Sequence, residues 1–153
     1  MYDFLLTGHR GCPSRFPENT LSSIKGAISC GATAVEVDVR VTADGVLVLS
    51  HDLNLERVSG NSIEISEATF DELRAVRFGG EHIATLSEIA NVVKGRVSLD
   101  LDIKMAGHAK QMVQIVSTDG DPRRTLFTSF FPDVVSEVKS VSPSCRTGII
   151  EQG

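Results

Sequence analysis

The sequence has no tryptophan and a single tyrosine, and aromatic residues make up only 5% of it. Its three cysteines, Cys12, Cys30 and Cys145, are odd in number and far apart. That excludes a disulfide framework and favours a reducing, cytoplasmic setting. Positive charge is short: 15 Lys and Arg stand against 20 Asp and Glu, for a net charge of −5. Such a chain lacks the basic footprint of a nucleic-acid binder. No apolar run approaches the ~18 residues of a membrane span. The opening MYDFLLTGHR has neither the basic n-region nor the full apolar h-region of a secretory signal. There is no low-complexity tract and no strong internal repeat. What remains is ordinary for a globular protein: 153 residues, 41% hydrophobic, a length that suits one domain over residues 1–153.

Short apolar runs alternate with helical patterns, which points to an α/β fold. FLLTG (4–8) reads as a first strand. Asn19 is the expected N-cap of a helix that turns Leu21, Ile24, Ala27 and Ile28 inward and closes at Gly31. AVEVDVRV (34–41) is a second strand, and VLVLSH (46–51) a third, after the turn ADG. Thr69 with Glu72, and Thr85 with Glu88, have capping-box spacing, and the second of these helices ends at Gly95. RVSLDLDIK (96–104) is a fourth strand, 108–116 is helical, and RTLFTSF (124–130) is a fifth strand. Residues 132–141 form a helix, and RTGIIEQ (146–152) a sixth strand.

The second and fourth strands carry the chemistry. In the second, Val35, Val37, Val39 and Val41 share one face, and Glu36, Asp38 and Arg40 share the other. The two carboxylates are about 6–7 Å apart along the strand. Like charges that close repel unless a cation or hydrogen-bond donors lie between them. The fourth strand repeats the pattern, with Leu99, Leu101 and Ile103 opposite Asp100, Asp102 and Lys104. If the strands are neighbours in a parallel sheet, their acidic faces converge on an oxygen-ligand site for a hard cation, Mg²⁺ or Ca²⁺. The plainer reading, two solvated faces of an antiparallel sheet, remains open at this point. His9 closes the first strand, and His51 with Asp52 closes the third. Two histidines at strand ends beside a carboxylate pair favour proton transfer. His82 and His108 have no such setting, and Cys12 reads as a loop residue.

Taken together, HRG (9–11), PENTL (17–21), GATAVEVDV (31–39), DGVLVLSHD (44–52), LERVSG (55–60), IATLSEI (83–89), LDIK (101–104) and SF (129–130) resemble the glycerophosphodiester phosphodiesterase family. Order and spacing match over nearly the whole chain. The resemblance implies a TIM barrel with a small insertion after the third strand, about residues 53–82. It implies Glu36, Asp38 and Asp102 as metal ligands, His9 and His51 as general acid and base without saying which is which, and Arg10 and Lys104 as phosphate contacts. The implied reaction cleaves a glycerophosphodiester to glycerol 3-phosphate and an alcohol.

Two departures stand out. Asp102 occupies a position where the family usually has Glu, one methylene longer, and Asp100 on the same face is a weaker substitute. The chain also reaches only about six of eight barrel strands, whereas a TIM barrel typically takes roughly 250 residues. Open sheet edges expose unpaired backbone groups. The chain is then a fragment, a reduced barrel or one member of an assembly, and self-association into a homo-oligomer is the expectation. Two other functions compete. One is a truncated, non-catalytic module that binds phosphate esters or serves assembly. The other is phospholipase-D-like action on lysophospholipids or sphingolipids, which requires an apolar rim.

Overall fold

Alternating valines and charged residues at 34–41 build the central strand, β2 (Ala34–Val41). β-Branched side chains suit an extended backbone, and Val35, Val37 and Val39 are fully buried. In the computed structural model, which describes residues 5–151, β1 (Thr7–His9) and β4 (Ser98–Ile103) flank β2 in parallel. β5 (Thr125–Ser129) and β6 (Arg146–Ile149) continue the sheet, also in parallel, in the order β1-β2-β4-β5-β6. Phe4 of the expected first strand and Gln152 of the expected sixth lie outside the described residues. The fold is an α/β sheet of six strands, an open and incomplete (β/α) barrel. Among the described residues, β1 pairs only with β2, and β6 only with β5.

The third strand departs from the expected strand-helix alternation. β3 (Leu47–Leu49) pairs antiparallel with the C-terminal end of β2, matching Val39 with Leu49 and Val41 with Leu47. No helix intervenes between the two, and a short turn closes the hairpin. Thr42 is its latch. Its N–H donates to the Val46 carbonyl at 3.0 Å, and its Oγ1 accepts from Val46 N at 2.9 Å. Gly45 supplies the left-handed residue at φ +83°. Because the chain doubles back, Ser50 N donates to the Asp38 carbonyl at 3.1 Å, which sets His51 beside β2 rather than above a separate barrel strand.

Helices cover one face of the sheet. Ile24 and Ala27 come from α1 (Leu21–Ser29), and Leu86, Ile89 and Val93 from α4 (Leu86–Val93). Met112 and Val116 come from α5 (Ala109–Asp119), and Val134 and Val138 from α6 (Pro132–Val141). All pack with Val35, Val37, Val39, Leu99, Leu101, Ile103 and Phe127 into one core. Both expected capping boxes form, Thr69 with Glu72 on α3 (Phe70–Ala75) and Thr85 with Glu88 on α4. The N-cap of α1 is Thr20, not Asn19: Thr20 Oγ1 accepts from Ser23 N, while Asn19 adopts φ +56° and turns its side chain into the sheet. Between β3 and α4, the short α2 (Glu56–Ser59) and α3 enclose a second apolar cluster of Leu55, Ile65, Ala68, Leu73 and Ile83 against Val48. No helix of the described residues is long and apolar enough to cross a membrane.

Candidate active site

The face of the sheet opposite the helices is acidic. Parallel register sets Glu36 across from Asp100 and Asp38 across from Asp102, so the two carboxylate strands meet. Glu36, Asp38 and Asp102 each present an oxygen within 4.8 Å of the others. Asp102 therefore reaches the cluster despite its short side chain. Asp100 is outside it and accepts instead from Thr128 Oγ1 at 3.0 Å. The cluster is electrostatically costly. Burial, then the neighbouring Asp38 charge, pushes the Glu36 carboxyl up to about 7, against the lowering effect of a hydrogen bond from Arg10 N–H. Asp102 Oδ1 is buried without a hydrogen-bond partner. A buried carboxylate oxygen is rarely left unpaired. Three converging carboxylates with one unspent oxygen match the donor set of a hard divalent cation.

Two cations from the chain balance part of this charge. Lys104 Nζ lies 3.0 Å from Asp38 Oδ1 and in short contact with Asp102 Oδ2. Burial pushes the Lys104 ammonium down, but the two carboxylates outweigh that and raise it. It also lies over the Phe130 ring, 5.4 Å from the centroid. Arg10 Nε is 3.3 Å from Asp38 Oδ2, near enough for charge attraction. The pair is not aligned as a hydrogen bond, and Nε is a buried donor without an acceptor.

The loop after β1 is shaped to hold Arg10 there. Arg10 sits at φ +55° and Gly11 at φ +90°, and a non-glycine residue in that region marks a backbone over-determined by its surroundings. Arg10 N donates to Glu36 Oε2 at 3.0 Å. The Arg10 carbonyl accepts from Asn19 N and Ser23 Oγ, both at 3.0 Å. A Cβ at Gly11 would lie 2.4 Å from Ser23 Oγ and 2.7 Å from its backbone carbon, so only glycine fits. His9 precedes this turn, in register with Glu36. Its side chain is 71% exposed, with Nε2 3.7 Å from Glu36 Oε2.

His51 follows β3, at the C-terminal end of β2. Arg40 donates from Nε, at 3.1 Å, and from Nη2 to the His51 carbonyl, fixing its backbone. The ring is 40% exposed, and its Nδ1 is 2.8 Å from Asp52 Oδ1. Glu18, from the loop before α1, accepts from Arg10 Nη1 at 3.2 Å.

The structure thus assembles Glu36, Asp38, Asp102, Arg10 and Lys104 around one point, with His9 beside Glu36 and His51 beside β2. Sequence reading missed three contributors. Asn19, read as a cap, donates from Nδ2 to Asp38 Oδ2 at 2.9 Å and accepts from Asp38 N at 3.2 Å. Arg40 and Arg57 are the other two. An Asn next to a genuine cap residue, Thr20, was the signal available for the first. No residue pattern signals the two arginines, whose partners lie 5 to 39 residues away in loops brought together by the fold.

The sequence matches the model of the Glycerophosphoryl diester phosphodiesterase family over residues 9–150. It is 27% identical over 162 residues to a glycerophosphodiester phosphodiesterase of Caldanaerobacter subterraneus, covering 97% of this chain and 67% of that protein. It is 36% identical over 157 residues to glycerophosphodiester phosphodiesterase 1 of Rattus norvegicus, covering 92% of this chain and 47% of the rat protein. The fold superimposes on a phosphodiesterase of Oleispira antarctica, solved in complex with the product sn-glycerol-3-phosphate. That match has a TM-score of 0.87 and 27% identity, and covers 95% of this chain and 65% of the other. The chain therefore spans from about half to two thirds of the length of these proteins.

Proposed function

This chain belongs to the glycerophosphoryl diester phosphodiesterase family, and on that premise we propose that it hydrolyses glycerophosphodiesters to glycerol 3-phosphate and an alcohol. The strongest support is the buried, unpartnered Asp102 Oδ1 beside Glu36 and Asp38. Glu36, Asp38 and Asp102 would hold a divalent cation, Mg²⁺ or Ca²⁺, which would supply charge neutralisation at the phosphate and orientation of the nucleophile. The chain's own residues do the rest. Arg10 brings an unspent Nε donor, suited to a phosphate oxygen by its fork geometry. Lys104 adds a point charge. His9 and His51 divide the proton transfers: one takes the proton of the attacking water as its oxygen bonds to phosphorus. The other protonates the head-group oxygen as the P–O bond to it breaks. In this reading the segment at about 53–82 is an insertion that supports the His51 side of the site. The three free cysteines fit a reducing compartment.

A second reading has its own observation. Leu53 after β3, and Phe130 and Phe131 after β5, are exposed, and Phe130 touches Lys104. These side chains supply an apolar rim that a lysophospholipid substrate requires. One experiment addresses both readings. The pure chain is incubated with Mg²⁺ or Ca²⁺ and either glycerophosphocholine or lysophosphatidylcholine, with His9→Ala and Glu36→Ala as controls. Glycerol 3-phosphate release from the first substrate, lost in both variants, is the expected result. Cleavage of the lysolipid alone favours the second reading. No turnover with any metal leaves a non-catalytic module, and turnover that survives both substitutions overturns the site.

The outer edges of β1 and β6, unpaired among the described residues, further support self-association, since a free edge is a template for another strand. Light scattering at micromolar concentration is expected to give a mass above 16.5 kDa. A clean monomer overturns this.

A further inference from the structure

Arg57, on α2, makes three contacts that the chemistry above does not use. Its Nε donates to Asp52 Oδ2 at 2.6 Å. Its Nη1 and Nη2 donate to the two carboxylate oxygens of Glu18 at 3.1 and 2.6 Å. Both partners lead back to the site. Asp52 is bonded to His51 Nδ1, and Glu18 accepts from Arg10 Nη1. One guanidinium therefore ties the loop after β1, which carries Arg10 and Glu18, to the loop after β3, which carries His51.

We propose that Arg57 is a positioning residue of the phosphodiester site, holding His51 through Asp52 and Arg10 through Glu18. This rests on the phosphodiesterase reading above. The charged groups around His51 are few: Arg40 of β2 on its backbone, Asp52 on its ring, and Arg57 with Glu56 of α2 beyond. The half-exposed His51 ring is held at Nδ1 by Asp52. Partial burial pushes the Asp52 carboxyl up, but the hydrogen bonds from Arg57 and His51 outweigh it and hold it low. The hydrogen bond from Arg57 does the same for Glu18. Both are then acceptor-only at neutral pH. An ionised Asp52 makes Nδ1 the protonated ring nitrogen, so Nε2 is the atom free to exchange a proton with substrate. Arg57 is 50% exposed, and half-exposed ion pairs contribute little stability. A forked guanidinium nonetheless fixes geometry. Its effect belongs on the chemical step, where a displacement of ~1 Å costs up to about 100-fold.

Three variants and two readouts test this. Arg57→Ala is expected to lower kcat by about 10- to 100-fold, with KM within about twofold and Tm nearly unchanged. Arg57→Lys is expected to recover only part of the loss, because a point charge cannot bridge both carboxylates. Glu18→Gln, which keeps the shape of the side chain, is expected to lose less than Arg57→Ala. Independently of turnover, long-range ¹H–¹⁵N spectra are expected to show the Nδ1–H tautomer of His51 in the wild type and an averaged ring in Arg57→Ala. An unchanged kcat in Arg57→Ala overturns the proposal, as does an Nε2–H tautomer in the wild type. If the wild type shows no turnover while its His51 tautomer is fixed and Arg57-dependent, the brace stands and the phosphodiesterase reading fails.

Discussion

Asp38→Asn is expected to lower kcat/KM for glycerophosphodiester hydrolysis by roughly three orders of magnitude, about 4 kcal/mol of transition-state stabilisation. The change alters one atom but inverts the local electrostatics. The Asp38 side chain is 1% exposed. Its Oδ2 accepts from Asn19 and faces Arg10, and its Oδ1 faces Lys104. An amide nitrogen in either position points a donor at a donor. It also leaves two partly buried cations with one fewer carboxylate between them, the costly half of a broken ion pair. Both phosphate-contacting residues lose their anchor along with a candidate metal ligand. Steady-state kinetics and calorimetric titration with Mg²⁺ and Ca²⁺ check this, and circular dichroism verifies that the variant is folded. A kcat/KM within tenfold of wild type in a folded variant overturns the assignment of Asp38.

Asp38 also illustrates what could be read in the sequence. A strand writes its faces as a period of two, so Val35-Val37-Val39 and Glu36-Asp38 separated without any three-dimensional knowledge. The same period in 99–103 made the convergence of two acidic faces a geometric expectation, and the register of β2 with β4 fulfils it. Capping boxes are equally local, and Thr69 and Thr85 both form theirs. Two kinds of feature escaped. The first is the direction of β3. A turn such as ADG closes a hairpin as readily as it begins a crossover, and only pairing partners decide. The second is long-range polar wiring. Asn19 and Asp38 are 19 residues apart, and Arg57 and Glu18 are 39 apart. Cap propensity competes for Asn19, but at its positive φ the side chain turns to Asp38 of the sheet instead. Hydrophobic periodicity cannot encode such contacts, because they follow from where loops meet after the core has formed.

Glu36→Gln is expected to make the metal-free protein more stable than wild type at pH 8, by roughly 2–3 kcal/mol. With the Glu36 carboxyl raised from 4.5 to about 7, the folded state holds the proton more tightly than the unfolded chain. Stability contributed by this group is then fully present below pH 4.5 and falls as pH rises toward about 7. Above that, a largely buried carboxylate, 13% exposed, sits uncompensated beside Asp38. Glutamine carries no charge at any of these pH values, and its carbonyl still accepts from Arg10 N–H. In the presence of a chelator, urea or thermal unfolding at pH 8 should show the variant melting about 4–10 °C above wild type. The gap should shrink steadily toward pH 5. Adding excess divalent cation should reverse the order, because only the wild type gains binding free energy. A wild type that is the more stable protein at pH 8 in chelator would mean that Glu36 is not strained by its neighbours. The cluster would then be held together without a cation, and the argument for a metal at this site would lose its energetic basis.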